Sequence, residues 1–177
     1  MDIMGPPSAT LEVIQRKLGE QGAPERFAVV IVPALYKEAL RYGIDPVVMV
    51  AQSAKETNWG RFGGKVQDWF FNTAGIKVAP MEQKMVPGVT DGDNPLAHER
   101  FASWTMGARA HAQHLRAYCG APVPPEDVVH PRYFVVMSRI KTVESLSGKW
   151  APSATYGAEI VQIARTHAHR DGTVDHG

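Results

Sequence analysis

Residues 45–60 read DPVVMVAQSAKETNWG, and the rest of the chain is organised around them. Asp45 can accept a hydrogen bond from the first free amides of a helix. Pro46 suits the first helical position, because its missing N–H would have had no intrahelical partner there. The next half of the stretch is apolar on almost every face, which predicts a buried helix. One acid, Glu56, falls in the last turn of this central helix.

A carboxyl group at the end of a buried helix is unlike an ordinary surface charge. The negative end of the helix dipole and the exclusion of water by nearby aromatic residues both raise the pKa of Glu56. A carboxyl that stays protonated near neutral pH can act as a general acid, for example on the leaving oxygen of a glycosidic bond. The alternative is a helix-end glutamate paired with Lys55, Arg61 or Lys65, and composition alone leaves both interpretations open.

The composition is that of one domain without disulfides. The chain has 177 residues, one cysteine, and 19 Lys and Arg against 18 Asp and Glu. This balance provides no basic field for nucleic acid. The longest apolar run, at residues 27–36, is far shorter than the roughly 20 residues of a membrane span. The first residues lack the pattern of a secretory signal. We therefore expect a monomer made in a cytoplasm, with no nucleic-acid or membrane partner.

Helical spacing and helix-end signals predict a mainly α-helical fold. Besides the central helix, the predicted helices cover residues 11–21, 26–42, 104–119, 131–140, 142–146 and 156–168. Pro33 must either kink the second of these or start its main part. Residues 78–98 are rich in Pro, Gly and Asp, and predict a small irregular β-hairpin or a long loop that forms one wall of a cleft.

Four blocks of sequence, in order, resemble one family. The first, AQSAKETNWG at 51–60, is similar to the motif Ala-Gln-x-x-x-Glu-Ser-x-Trp-Gly, with Thr57 at the serine position. The others are FNTAGIK at 71–77, RFASW at 100–104 and WAPSATY at 150–156. Together they resemble the peptidoglycan endo-β-N-acetylglucosaminidases of glycoside hydrolase family 73, the flagellar and autolysin type, and most of all the versions found in phage endolysins. Four ordered blocks are more specific than one short motif.

This resemblance implies a lysozyme-like α-helical fold with a small β-hairpin or loop lobe after the acid-bearing helix. We expect residues 26–168 to form the glucosaminidase-like catalytic domain. Residues 1–25 are expected to be an N-terminal extension, loose over its first seven residues and then forming one short helix, and residues 169–177 a flexible tail. The implied partner is the glycan strand of bacterial peptidoglycan, cleaved at the β-1,4 bond after N-acetylglucosamine.

Carried over by position, the resemblance implies catalytic roles for two residues. Glu56 would be the general acid, and Tyr156 would lie across the cleft, where it positions the sugar's N-acetyl group or a water. A second carboxylate has no match by motif, and its candidates are Glu82, Asp91, Asp93 and Glu99. The separation of the two carboxyl groups would distinguish a retaining from an inverting route. Attack by the substrate's own acetamido group is a third option.

Substrate contacts are expected from two groups of residues. Asn72 and Lys77 would belong to the turn that floors the site, where they either touch substrate or brace the backbone. Trp69 and Trp104 offer apolar faces for stacking on sugar rings, although large aromatic residues are more often part of a core. Trp69 is the preferred candidate, and Trp59 is expected to pack beneath Glu56.

The histidines provide a weaker argument for a metal. His111 and His114 lie three apart on one helix, and His98 lies upstream, so a zinc site is conceivable. No HExxH motif or cysteine spacing supports it. Such a pair is more often a polar face or a hydrogen-bonded core feature. We therefore expect no metal and no cofactor.

Two other functions fit the same outline. A muramidase or a lytic transglycosylase would share the lysozyme-like fold but cleave after N-acetylmuramic acid. A non-catalytic cell-wall-binding or phage structural module would keep the fold without the chemistry, and only Glu56 argues against it. A cytoplasmic enzyme without a signal fits a phage endolysin released to the wall by a separate permeabilising protein. A module of a secreted autolysin would also fit.

Overall fold

The computed structural model describes residues 1–79 and 97–168, and this part of the chain is mainly helical. Its α-helices are α1 (Leu11–Glu20), α2 (Val32–Tyr42), α3 (Pro46–Glu56), α4 (Trp104–Cys119) and α5 (Tyr156–Ala168). A π-helical turn (Phe27–Ile31) leads into α2, and short 3₁₀ turns cover Asp68–Phe70, Pro125–Asp127, Pro131–Phe134 and Val143–Leu146. β-pairing among the described residues is limited to isolated bridges. The predicted mainly α fold is confirmed.

Helix α3 is the buried centre of this fold. The Asp45 side chain accepts a hydrogen bond from the Val47 N–H at 3.0 Å, and Pro46 occupies the first turn. Every residue from Pro46 to Ala54 is buried, since α3 packs against both α2 and α5. None of the helices in the described part of the chain combines the length and the apolar character that crossing a membrane requires.

The N-terminal residues are fixed within the fold, so the expectation that residues 1–7 are loose is wrong. Ile3 is fully buried, its N–H donates to the Lys141 carbonyl at 2.9 Å, and its carbonyl accepts from the Asp45 N–H at 3.0 Å. Ile14 and Leu18 of α1 belong to the same hydrophobic core. The start of the chain thus contributes a buried apolar side chain and a backbone that pairs with two distant segments.

The helix predicted over residues 131–140 is also wrong beyond its first turn. Only Pro131–Phe134 is helical, as a 3₁₀ turn. Farther on, the Ser138 N–H donates to the Ala117 carbonyl at 2.9 Å and the Ile140 N–H to the Tyr118 carbonyl at 3.0 Å. The last carbonyls of a helix have no intrahelical donor, so this segment satisfies the end of α4 instead of forming a helix of its own.

The two ends of the predicted hairpin or loop lobe pair with each other. Lys77 and His98 form an antiparallel bridge, with the Val78 N–H donating to the Ala97 carbonyl at 2.8 Å and the Glu99 N–H to the Ile76 carbonyl at 2.9 Å. The lobe therefore starts and ends at one place on the helical body. Its residues 80–96 lie outside the described part of the chain.

Candidate active site

A tight left-handed turn follows α3 and holds its last residue in place. Asn58, Trp59 and Gly60 have φ values of 49°, 58° and 70°. Left-handed backbone costs a residue with a side chain roughly 1–2 kcal/mol, so this turn needs support. The Thr57 hydroxyl supplies it by donating to the Ser53 carbonyl at 2.7 Å and accepting from the Gly60 N–H at 2.9 Å. Threonine keeps the hydroxyl of the serine that it replaces in the motif.

Glu56, the last residue of α3, lines a cleft of about 550 Å³. The described walls of this cleft are the helix end at residues 55–58, the loop at 62–66, the turn at 74–77, His98, and the loop at 150–152. Lys77 is among these residues, as the sequence suggested. Glu56 is the one carboxylic acid among the lining residues that the structure describes.

The surroundings of Glu56 raise the pKa of its carboxyl group. Burial is the largest effect; hydrogen bonds from the Tyr156 hydroxyl and the Trp150 indole, and the charge of Lys55, oppose it without cancelling it. Tyr156 donates to Oε1 of Glu56. The Lys55 ammonium makes its ion pair with Glu159 and not with Glu56.

The turn after residue 71 passes directly against this carboxyl group. Gly75 has a φ of 61°, and a Cβ at this position would lie 3.3 Å from Oε2 of Glu56. The Asn72 side chain builds the turn: its Oδ1 accepts from the N–H groups of Ala74 and Ile76, and its Nδ2 donates to the carbonyls of Ile76 and Glu99. Asn72 is fully buried, and its described contacts correspond to backbone bracing, one of the two roles that the sequence left open.

Three buried residues that the sequence argument did not assign continue the site inward from Tyr156. The Gln52 amide donates to the Tyr156 hydroxyl at 2.9 Å, and the Gln52 Oε1 lies 2.9 Å from Nε2 of His111. The other ring nitrogen of His111 lies 3.2 Å from the Thr73 hydroxyl. Gln52 and Thr73 fall inside two of the motif blocks, which was the one available signal. Nothing local indicated that His111 joins them.

The tryptophans differ from their expected roles. Trp150 lines the cleft and contacts Glu56, although the sequence argument quoted it only as part of a motif. Trp69 is 53% exposed on a 3₁₀ turn, with the Arg100 guanidinium 4.7 Å from its ring centre, and it is not among the described lining residues. Trp104 packs against Phe71 and Phe62, with ring centres 5.1 and 5.8 Å apart; Phe62 lines the cleft, but Trp104 is not among the described lining residues.

The second carboxylate is not among the described walls of the cleft. Glu82, Asp91 and Asp93 lie outside the described residues. Glu99 pairs with His130, whose Nε2 lies 2.9 Å from its carboxylate, and this hydrogen bond lowers the pKa of Glu99. An acid held in its charged form by a neighbour, and outside the described walls, is poorly suited to proton transfer in the cleft.

The two histidines of α4 are core residues. Burial lowers the pKa of both His111 and His114 to about 3. The His114 Nδ1 lies 2.7 Å from the carbonyl of Ala110 in its own helix. No group of three or more metal-ligating side chains occurs among residues 1–79 and 97–168.

A family comparison adds to this geometry. Residues 32–169 match a family model described as "Glucosaminidase: Mannosyl-glycoprotein endo-beta-N-acetylglucosaminidase". The chain belongs to this glucosaminidase family. The match includes all four sequence blocks, and it confirms both the family suggested by them and the predicted enzyme class, a glycoside hydrolase.

Two individual proteins extend the comparison. The chain is 27% identical over 127 residues to an uncharacterized protein of Borreliella burgdorferi, which covers 71% of this chain and 56% of the relative. The chain thus spans about half the length of that curated relative. Among solved structures, it is similar to the catalytic domain of the autolysin Auto from Listeria monocytogenes, with a TM-score of 0.50, 16% identity, and coverage of 92% and 97% of the two chains. At that identity the likeness concerns the fold, and it supports the predicted fold class.

Proposed function

We propose that this glucosaminidase domain hydrolyses the glycan strands of peptidoglycan at the β-1,4 bond after N-acetylglucosamine, with Glu56 as general acid. The observation that carries the proposal is a carboxyl group with a raised pKa in the wall of a 550 Å³ cleft. The family description supplies the type of bond. The four sequence blocks resemble enzymes of the cell wall, and the fold neighbour is described as an autolysin catalytic domain.

In this mechanism Glu56 donates its proton to the glycosidic oxygen while the bond from that oxygen to the sugar carbon breaks. The acid becomes a carboxylate, and the hydrogen bonds from Tyr156 and Trp150 stabilise the charge that it gains. Tyr156 can serve only as a neutral donor, because burial and the neighbouring Glu56 raise its pKa well above the usual range. The ring of Trp150 is available to stack on a sugar in the cleft.

The first experiment tests the acid. Glu56→Gln should abolish clearing of a bacterial cell-wall suspension in a turbidity assay, because an amide is not acidic enough to transfer a proton to the leaving oxygen. Glu144→Gln is the matched control: it removes a carboxylate that is paired with the N-terminal amine outside the cleft, and it should clear walls like the wild type. Equal clearing by wild type and Glu56→Gln, or no clearing by wild type on any wall type, contradicts the proposal.

The products identify the bond. Mass spectrometry of digested, borohydride-reduced walls should find reduced N-acetylglucosamine at the new ends. Reduced muramic acid ends would instead identify a muramidase, and anhydromuramic ends a lytic transglycosylase. Absence of any new ends would identify a non-catalytic wall-binding or structural module.

A second group must assist attack at the sugar carbon, and we propose that Glu82 or Asp93 provides it. The bridge between Lys77 and His98 joins the ends of the lobe that carries both residues, beside the cleft. Among the amides Glu82→Gln, Asp91→Asn and Asp93→Asn, we therefore expect Glu82→Gln or Asp93→Asn to lose at least about 100-fold in kcat. A comparable loss in Asp91→Asn alone would assign the role to Asp91 instead. Full activity in all three would instead favour attack by the substrate's acetamido group.

We also propose that the protein is bacteriolytic in the manner of an endolysin. The support is the GKWAPSATYG segment at residues 148–157, which resembles the phage versions of the family. Expression in a bacterial cytoplasm should lyse the cells only when a separate protein permeabilises the membrane. Lysis without that protein would contradict this part of the proposal.

A further inference from the structure

A hydrogen-bond chain runs from the protein interior to Glu56, in the order Thr73, His111, Gln52, Tyr156 and Glu56. The nitrogen of the Gln52 amide faces the Tyr156 oxygen, so the Gln52 oxygen faces His111. Nε2 of His111 must then carry the hydrogen, and its bare Nδ1 accepts from the Thr73 hydroxyl. Tyr156 already accepts from Gln52 and donates its own hydrogen to Oε1 of Glu56. Every donor in the chain therefore points toward Glu56.

This direction decides where the proton of Glu56 can reside. Oε1 accepts the Tyr156 hydrogen bond, and a carbonyl oxygen is a better acceptor than a hydroxyl oxygen, so the acidic proton is favoured on Oε2. Oε2 is the oxygen that lies next to Gly75, which is part of the cleft wall. A proton on Oε2 therefore lies on the side of the carboxyl group that borders the cleft wall at Gly75.

We propose that Thr73, His111 and Gln52 are positioning residues, which act through Tyr156 to hold the catalytic proton of Glu56 on Oε2. The proposal rests on the proposed role of Glu56 as the general acid. It assigns a function to a buried polar cluster that touches neither the cleft nor a substrate.

The burial of the hydrogen-bond chain supports a fixed direction of its donors. Thr73, His111 and Gln52 are completely buried and Tyr156 is 3% exposed, so water is not available to replace a member. Burial also keeps His111 neutral, with a pKa of about 3. An imidazolium would donate from both nitrogens and could not accept from Thr73. A neutral ring therefore preserves the direction of the hydrogen bonds across the working pH range.

The charged and titratable groups that face Glu56 must be held constant in a test. On the described elements around it these are Lys55 on α3, Tyr156 on α5, and Lys65, Lys77 and His98 across the cleft. Neutral substitutions in the buried part of the hydrogen-bond chain leave all five of these groups in place. The variants Gln52→Met and His111→Phe meet this requirement.

The test measures kcat, KM and the pH profile of kcat/KM on soluble glycan fragments. Gln52→Met and His111→Phe should lower kcat by about 10-fold or more with little change in KM, because the acid proton is no longer held on one oxygen. A general acid is active when protonated, so activity falls as pH rises through its pKa. The hydrogen bond from Tyr156 lowers that pKa. Variants that weaken this hydrogen bond should move the basic limb of the kcat/KM profile to higher pH. Tyr156→Phe, which removes the hydrogen bond, should move the limb farther.

Two matched controls separate this effect from loss of packing. Gln113 is a buried glutamine that also donates to a tyrosine hydroxyl, that of Tyr42 at 2.9 Å, and Gln113→Met should leave the basic limb unmoved. His114 is a buried histidine on the same helix as His111, but it is not part of the hydrogen-bond chain. His114→Phe should therefore also leave the basic limb of the pH profile unmoved. His111→Gln should retain kcat within about 3-fold, because an amide N–H can replace Nε2–H toward Gln52.

The outcomes distinguish this proposal from the proposed function. Full activity in Glu56→Gln would overturn both. An inactive Glu56→Gln, combined with an unmoved basic limb in Gln52→Met and His111→Phe, would overturn only the positioning role. An equal loss in His111→Phe and His111→Gln would do the same. If His111→Phe does not fold in a thermal melt, Gln52→Met against Gln113→Met decides the question.

Discussion

At Glu56, burial and hydrogen bonding act on the pKa in opposite directions, and burial prevails. An acid that must give up its proton and then carry a charge benefits from both effects. Burial favours the protonated form, and the donors from Tyr156 and Trp150 stabilise the carboxylate that remains after proton transfer. The raised pKa was predicted from the helix end and from the exclusion of water by nearby aromatic residues, and the structure adds the two donors.

Gly75 provides a direct test of how tightly this carboxyl group is enclosed. Gly75→Ala would place a methyl group 3.3 Å from Oε2 of Glu56 at a φ of 61°. We expect a fall in kcat of about 10-fold or more, because the methyl displaces the acid from its position. Gly22→Ala is the matched control, since Gly22 has a φ of 70° with open space around its Cβ position.

Both alanine variants should lose about 1 kcal/mol of stability from left-handed backbone, measured by urea unfolding. Only Gly75→Ala should lose activity. A Gly75→Ala enzyme as active as Gly22→Ala would mean that the turn does not constrain Glu56.

The individual tryptophans show where residue-scale prediction fails. Trp69 and Trp150 are both flanked by sequence motifs and have the same intrinsic ability to stack on sugar. Their difference arises from packing: Arg100 covers one face of Trp69, while the ring of Trp150 lies 5.7 Å from that of His111 at the cleft wall. Neither contact has a local sequence signal.

At the scale of elements, the helices were predictable where their ends carry side-chain signals. Asp45 caps α3 and Ser103 caps α4, and the glycines after α2 and α4 adopt left-handed backbone. Residues 131–140 had a similar apolar pattern but formed no α-helix, because their N–H groups pair with the end of α4. Caps are local and can be predicted from sequence, whereas competition between elements for hydrogen bonds depends on tertiary structure.

Helix α4 approaches the turn of residues 71–77 at a position where only glycine fits. A Cβ on Gly107 would lie 1.8 Å from the Phe71 carbonyl oxygen. Gly107→Ala must therefore push the turn away from α4, and we expect a loss of at least about 1–3 kcal/mol of stability. Activity should fall as well, because this turn carries Gly75 and Asn72.

Gly19→Ala in α1 is the control, as its Cβ position has no neighbour within 4 Å. In open helical surroundings alanine is the better helix former by up to about 1 kcal/mol, so this variant should be as stable as the wild type or more so. Urea unfolding of both variants measures the difference. Equal stabilities would show that the turn adapts to α4 without cost.

At the scale of the whole molecule, the sequence predicted the helical class and singled out Glu56, which lines the cleft, but it indicated only part of the candidate site. The blocks at 51–60, 71–77 and 150–156 each supply residues to it. The buried hydrogen-bond chain depends on His111, which lies 59 residues from Gln52 in the sequence and outside all four sequence blocks. Residues within one motif share a local geometry that can be read from spacing, while a contact between α3 and α4 exists only once the helices pack.

The buried histidines make the stability of the whole fold depend on pH. Burial lowers the pKa of His111 and His114 to about 3 and that of His167 to about 4, whereas an unfolded histidine titrates near 6.5. Below pH 6.5 the unfolded chain thus binds protons that the folded chain does not. The free energy of unfolding should be constant above this pH and fall as the pH drops toward 4, with a limiting slope of about 4 kcal/mol per unit for three histidines.

Glu56 has the opposite effect on stability, because its raised pKa makes the folded chain bind a proton at a higher pH than the unfolded chain does. This effect amounts to at most one proton. Urea unfolding at pH 7, 6 and 5 measures the slope. His114→Gln removes one of the three groups, so its slope should be smaller by about one proton, or about 1.4 kcal/mol per pH unit. A stability that stays constant from pH 7 to 5 would contradict this prediction and would mean that these imidazoles gain protons in the folded state.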